Sequence, residues 1–142
     1  MKRVILYIIV LLIALCIPVD RTDISNLEPI QAVWVSQENG EYIITTDTED
    51  VGVGESIQQA IAEMKNKSEK IIYLDTAQYL LVNENSTAAI NEITNHLKQR
   101  VRAGIWNGDG ELARAARYMH THRVGIKLKD YLPGSKLPVI PG

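Results

Sequence analysis

Residues 70–82 have the sequence KIIYLDTAQYLLV, in which two apolar runs flank a short polar link. Both runs are rich in β-branched, aromatic or leucine side chains, a composition that favours strands. We predict strands at residues 70–74 and 79–82, joined by residues 75–78. Because uninterrupted apolar runs are typical of strands covered on both faces, both are predicted to lie centrally in a sheet.

Similar patterns extend this sheet in both directions. Residues 30–35 and 42–46 are predicted to form a hairpin, because Glu38-Asn39-Gly40 between them supplies residues that tolerate positive φ. Residues 101–105 are predicted as a further strand. It ends at the turn sequence Asn107-Gly108-Asp109-Gly110.

A glycine pair precedes the first helix of this region. Residues 48–54 are predicted as a loop that ends in Gly52-Val53-Gly54. The pair lacks the third glycine of a dinucleotide fingerprint and the Gly-Lys-Ser/Thr of a P-loop, so we interpret it as a flexible entry into a helix. That helix ends at Asn66-Lys67-Ser68. Its apolar residues recur at i, i+4 and i+7: Ile57, Ile61 and Met64.

Two more helices complete the predicted fold. The second is capped by Ser86 or Thr87, whose hydroxyl can accept a bond from a free backbone N–H, and it ends near Arg100. The third spans residues 111–119, and residues 126–131 are predicted to add one more turn. The apolar face of the second helix consists of Ile90, Ile93 and Leu97. The sequence therefore predicts an α+β fold, with a mixed β-sheet of about five strands packed against two to three helices, after an N-terminal signal or anchor segment.

Composition limits the classes of function. The chain has 142 residues, 46% hydrophobic and 23% charged, which is typical of one folded domain. Its formal charge is −2, and removing Lys2 and Arg3 from the 15 basic residues leaves 13 against 17 acidic residues. This balance argues against nucleic acid as a partner. Cys16 is the single cysteine, which excludes an internal disulfide.

The N-terminus has the pattern of a secretory signal. Lys2 and Arg3 precede an apolar run of 14 residues, Val4 to Ile17, and Pro18 and Asp20 follow it. The run is shorter than the ~20 residues that a spanning helix needs. We predict a signal peptide or membrane anchor at residues 1–19 and an α/β domain at residues 20–142. Whether the leader is cleaved or stays as an anchor is open at this stage.

Cys16 lies where a bacterial lipoprotein carries its acylated cysteine. Ile13 and Ala14 suit the preceding positions of such a site, whereas Leu15 is larger than the usual residue there. Two alternatives are cleavage after Cys16 by an ordinary signal peptidase and a cysteine that only fills an apolar helix. We predict Cys16 as a lipidation site.

The residues that could support catalysis or metal binding have simpler interpretations. His120 and His122 would share a face in a strand and could hold zinc, but zinc needs three or four ligands. No serine lies in a G-x-S-x-G motif. The remaining groups are a helix-surface charge cluster around His96, and an acidic turn with Asp47, Glu49 and Asp50. We therefore predict no catalytic residue, no metal site and no cofactor, with a zinc-dependent protein using His120 and His122 as an alternative.

Aromatic side chains favour a binding module, because tryptophan and tyrosine often anchor interfaces. Six such residues are candidates, and most of them are expected in the core since the chain has no phenylalanine: Trp34, Trp106, Tyr73, Tyr79, Tyr118 and Tyr131. Trp106 opens the turn at residues 107–110, so we predict that Trp106, Asn107 and Asp109 contact a partner. A small-ligand sensor domain is a second interpretation.

Four segments follow one another along the chain: Cys16 with Asp20-Arg21, Ile24 and Leu27; Gly54-Glu55-Ser56-Ile57 with Ala60 and Ile61; Ser68, Lys70, Tyr73-Leu74 and Leu80-Leu81-Val82; and Gly134-Ser135-Lys136-Leu137-Pro138-Val139-Ile140-Pro141. In this order they resemble segments of the Ger(x)C lipoproteins, the C subunits of spore germinant receptors. The first resembles the start of their mature chains, although Ile17-Pro18-Val19 stands where that family has one tryptophan. In the third, Asp75 and Thr76 replace the family's Gly-His.

The resemblance spans nearly the whole chain and covers only the first domain of that family. It implies a non-enzymatic accessory subunit of a nutrient-sensing complex in spore germination. Such a subunit is held by lipid on the outer face of the inner spore membrane, beside integral membrane receptor subunits. By this resemblance, the partners of the chain are the membrane and those subunits.

Overall fold

The computed structural model describes residues 1–17 and 27–142. Pro18 and Asp20 at the predicted end of the leader, the boundary at residues 19 and 20, and the Asp20-Arg21 and Ile24 positions of the resemblance lie outside the described residues. The helices are α1 (Lys2–Cys16), α2 (Ile57–Lys67), α3 (Ile90–Ile93) and α4 (Leu112–His122). The strands are β1 (Leu27–Pro29), β2 (Ala32–Glu38), β3 (Glu41–Thr46), β4 (Val51–Gly54), β5 (Ile71–Tyr73), β6 (Tyr79–Val82), β7 (Arg102–Ile105) and β8 (Ile126–Lys127).

The protein has an α+β fold, as predicted. Six strands form one mixed sheet in the order β4-β3-β2-β6-β7-β8, and β1 and β5 form a separate two-stranded sheet. Within the large sheet β2, β6 and β7 are parallel, whereas the pairs β2–β3, β3–β4 and β7–β8 are antiparallel. The predicted hairpin is confirmed, with Asn39 and Gly40 both at positive φ in its turn.

The two faces of the large sheet are covered differently. Alternate residues of β2 point to opposite faces, so Val33 and Val35 join one core while Ala32 and Trp34 join the other. The first core contains the apolar residues of α2 and of the segment around α3. The second core is smaller and contains residues of α4, the one helix among the described elements that packs on this face.

Only one of the two runs in residues 70–82 lies centrally. All four residues of β6 are buried between β2 and β7, as predicted. The prediction is wrong for β5, which pairs in parallel with β1 outside the large sheet. Ile72 is buried, but Ile71 and Tyr73 are 49% and 42% exposed. A continuous apolar run is compatible with burial on both faces, but only the face of β5 that carries Ile72 is buried.

The glycine pair lies in a strand and not in the predicted loop. β4 pairs antiparallel with β3, and α2 lies directly against it. A Cβ atom on Gly52 would lie 2.0 Å from the carbonyl oxygen of Ala60, and one on Gly54 would lie 2.6 Å from the Ala60 nitrogen. These glycines therefore allow the backbone of α2 to approach the strand closely.

Glu63 of α2 ties the helix to this strand. Its carboxylate accepts a hydrogen bond from the backbone N–H of Val53 and pairs with Lys67 one turn later on α2. The hydrogen bond from Lys67, and then that from Val53, lower the pKa of Glu63 below 4.5. A lowered pKa in the folded state means that this stabilisation is present above pH 4.5 and is lost as pH falls through the folded pKa.

We expect Glu63→Gln to lower the free energy of unfolding at pH 7, because the uncharged amide cannot replace the charged contacts. The deficit relative to the unaltered chain should shrink at an acidic pH below the folded pKa, where the unaltered carboxylate is protonated. Urea unfolding of both chains, followed by tryptophan fluorescence at both pH values, measures this difference in the free energy of unfolding. Glu69→Gln, an exposed change just after α2, is the control and should have little effect at either pH. A deficit that is equal at both pH values would contradict the charged contact.

The predicted second helix is mostly not α-helical. Residues 84–89 form 3₁₀ turns and α3 has four residues, although Ile90, Ile93 and Leu97 are all buried as predicted. Ser86 does not cap a helix that follows it. Its hydroxyl accepts a bond from Asn83 N–H at 3.0 Å and lies 2.8 Å from the Val35 carbonyl, to which it donates.

The C-terminal region agrees largely with the prediction. The third predicted helix is confirmed as α4, which continues three residues further to His122. Residues 126–131 contain the short strand β8 and one 3₁₀ turn, Leu128–Asp130. The proline-rich tail is not helical, and Val139 forms a parallel bridge with Ile105.

Candidate functional site

The N-terminal helix α1 is apolar and exposed. None of its 15 residues is buried, and its large side chains from Val4 to Leu15 are all exposed. Cys16, its last residue, is exposed and carries a free thiol. Among residues 1–17 and 27–142, no helix combines the length and apolar character required to cross a membrane.

Trp106 does not occupy the exposed position that the sequence predicts. It is 2% exposed and belongs to the core beneath α4. Its ring meets that of Trp34 edge to face, with ring centroids 5.1 Å apart. The backbone N–H of Trp106 donates to the Val82 carbonyl, so the residue continues the pairing of β7 with β6 before the turn starts. A direct partner contact by this side chain is therefore incompatible with the fold.

The turn after Trp106 remains accessible. Asn107 and Asp109 are exposed and Gly108 is half-buried. A Cβ atom on Gly108 would lie 2.5 Å from the indole nitrogen of Trp106, so the turn packs over the indole. A partner contact by Asn107 and Asp109 stays a prediction.

The acidic turn has a structural role. The Asp47 carboxylate accepts hydrogen bonds from the backbone N–H groups of Gln31 and Ala32, at 3.1 and 3.3 Å. The Asp50 carboxylate accepts one from the Thr48 hydroxyl at 3.0 Å. Asp47 therefore holds the start of β2 against the end of β3.

A groove of about 290 Å³ lies beside this turn, between the β3–β4 edge and the first turn of α4. Trp34 and Val51 provide apolar lining, and Glu49 and Glu111 are acidic residues of its lining. The buried indole N–H of Trp34 has no hydrogen-bond acceptor among the described residues.

His120 and His122 do not converge. Both lie in the last turn of α4, where residues two apart point about 200° away from each other. His122 stacks on Tyr118, with ring centroids 4.0 Å apart. The shared face expected of a strand is thus absent. No three His, Cys, Asp or Glu residues in the described part of the chain are placed to hold a metal ion.

His120 has a different partner, which the sequence did not indicate. Its Nδ1 lies 2.8 Å from the hydroxyl oxygen of Tyr79, the first residue of β6 and 41 positions earlier in the chain. Burial raises the pKa of the Tyr79 phenol above 10.0, against the opposing charge of Arg102. Arg102 is the register partner of Tyr79 on the parallel strand β7. No sequence motif predicts the Tyr79–His120 pair, because the pair depends on which strands are neighbours and on where α4 crosses the sheet.

No family model, curated protein or solved structure matches the chain.

Proposed function

We propose that the chain is a membrane-tethered, non-enzymatic binding protein that acts on the outer face of the cytoplasmic membrane. What supports the proposal is the contrast between α1 and the domain. Residues 27–142 bury two apolar cores, whereas α1 leaves its apolar side chains exposed. An apolar surface of this kind is favourable only in a bilayer or in another non-aqueous site.

The more specific form of the proposal is an accessory role in spore germination, similar to that of the first domain of germinant receptor C subunits. It rests on the motif resemblance described above. In this role Cys16 carries the lipid, and the exposed Asn107 and Asp109 are the candidate contacts with integral membrane receptor subunits. The domain itself binds and has no catalytic step.

We expect Cys16→Ser to abolish incorporation of a clickable fatty-acid analogue into the chain, because no other cysteine is available for the acyl group. The measurement is in-gel fluorescence of the chain purified from labelled, sporulating cells. Leu15→Ala, which places a small residue before Cys16, is the matched control and should label at least as strongly as the unaltered chain.

The mass of the mature N-terminus distinguishes the possible outcomes. A chain that begins at an acylated Cys16 supports the proposal as stated. An intact N-terminus in the membrane fraction identifies an uncleaved anchor, and a start after Cys16 identifies a secreted protein without lipid. Recovery of the intact, unlabelled chain from the cytosol would refute the tethered role.

A further inference from the structure

Two adjoining depressions lie at the amino ends of the parallel strands β2, β6 and β7. One has a volume of about 290 Å³ and lies between Gln31, Gln78 and the last turns of α4. The other has a volume of about 230 Å³ and extends past Arg100 and Arg102. Gln78 and Tyr79 line both, so the two depressions are neighbours, and we call them together the β6 depression.

The β6 depression is positively charged in a chain that is acidic overall. Arg100, Arg102, Arg117 and His120 line it, and no aspartate or glutamate is among its lining residues. The whole chain has 17 acidic and 15 basic residues. A local cluster of cations in such a chain requires that the fold bring together residues from β7, α4 and the segment before β7.

Two of the three guanidinium groups, those of Arg100 and Arg102, are held by neutral acceptors. Arg102 donates to the Gly125 carbonyl at 3.1 Å, and Arg100 donates to the Asp75 carbonyl at 3.0 Å. The Asp75 carboxylate itself lies 3.7 Å from Lys98. Within the described ranges, none of the three arginines that line the depression has a carboxylate oxygen within 4.0 Å of its nitrogens. Carbonyl acceptors position the side chains without neutralising their charge.

Tyr79 and His120 add further polar groups to the lining of the depression. Tyr79 is 7% exposed, and its hydroxyl is hydrogen-bonded to His120 Nδ1. This bond orients the imidazole and leaves Nε2 as the ring nitrogen that can contact a ligand. The high pKa of the phenol keeps it protonated at neutral pH, so Tyr79 adds no negative charge to the depression.

We propose that the β6 depression binds a phosphate group. Guanidinium forks from Arg102 and Arg117 match the geometry of phosphate oxygens, and charge-assisted hydrogen bonds of this type are the strong ones. His120 Nε2 supplies a further donor. The inference does not rest on the proposed tether, because every residue that carries it belongs to the folded domain.

The phosphate group has two natural sources, a soluble phosphorylated molecule and the headgroup of an anionic phospholipid. The full chain in non-ionic maltoside micelles allows both to be tested in one preparation. Inorganic phosphate is titrated in one arm, with sodium chloride at equal ionic strength as its reference. In the other arm the micelles are doped with phosphatidylglycerol, with undoped micelles as the reference.

The readout is the NMR shift of the arginine Nε–H groups, the His120 ring and the backbone amides of Tyr79 and Thr121. We expect saturable shifts of these signals with at least one of the two probes. A response to phosphate assigns a soluble ligand, and a response to doped micelles alone assigns a lipid headgroup. Arg102→Gln and Arg117→Gln should each weaken the apparent affinity by about tenfold or more.

Arg114→Gln is the matched control. It lies one turn before Arg117 on α4, is likewise exposed, and is absent from the lining of the β6 depression. It should bind like the unaltered chain. Arg117 has no side-chain hydrogen bond within the described residues, so Arg117→Gln should fold even if Arg102→Gln does not. Shifts that grow linearly with both probes, or equal affinity in Arg117→Gln and Arg114→Gln, would overturn the proposal.

Discussion

Gly52→Ala should be the most damaging of the glycine-to-alanine changes in this domain. We expect the free energy of unfolding to fall by on the order of 3 kcal/mol or more, at the upper end of overpacking costs. The new Cβ would lie 2.0 Å from the Ala60 carbonyl oxygen and 2.9 Å from the Met64 nitrogen. Both are backbone atoms of α2, so no change of rotamer relieves the clash, and the helix must move away from β4.

Urea unfolding followed by tryptophan fluorescence measures this loss, because Trp34 and Trp106 both lie in the folded domain. Gly110→Ala is the control, since a Cβ atom there meets nothing within 4 Å and the residue is not at positive φ. Its effect should stay within about 0.5 kcal/mol. Equal stability of the two variants would show that α2 does not pack on β4 as described.

Trp106→Ala should unfold a large fraction of the domain or destabilise it by about 3–5 kcal/mol, the usual cost of truncating a buried tryptophan. The indole is 2% exposed and packs with Trp34 and with residues of α4. Removal of the indole leaves a cavity in the smaller of the two cores, between α4 and the sheet face on which α4 packs. Far-ultraviolet circular dichroism in increasing urea checks the stability without relying on the deleted fluorophore.

The double variant Asn107→Ala with Asp109→Ala is the matched comparison. Both residues are exposed, so stability should change little while any contact of the turn with a membrane partner is lost. The two variants thus separate a structural effect from a binding effect. If Trp106→Ala unfolded at the same urea concentration as the unaltered chain but no longer bound the partner, the prediction that Trp106 is exposed and contacts the partner would be correct after all.

The regular elements were predictable where their periodicity was strong. Ile57, Ile61 and Met64 repeat at helical spacing and are all buried in α2. The turn at Asn39-Gly40 predicted the hairpin, because the positive φ of both residues is a local property. β6 was predictable because a short run of apolar side chains favours a strand.

The failures share a non-local cause. β4 carries two glycines that weaken any strand pattern, and what holds it is the backbone of α2 together with β3. β5 has the same apolar pattern as β6, but it pairs with β1 and not with the large sheet. Trp106 directly precedes a turn, a position where residues are often exposed. It is nevertheless buried, because α4 packs over it.

The candidate site shows the same division. Cys16 and the apolar leader are local signals, and their role in tethering stays a prediction. The β6 depression had no sequence signal, because Tyr79, Arg102 and His120 come from three separate elements. Parallel pairing places the first two side by side, and the crossing of α4 adds the third.

By itself the sequence determined most of the helical and strand segments and their apolar faces, because these follow from interactions between residues a few positions apart. Only the tertiary structure decided which strands are neighbours, which aromatic ring is covered and which cations meet. These outcomes depend on packing between residues far apart in the chain, for which local spacing carries no information.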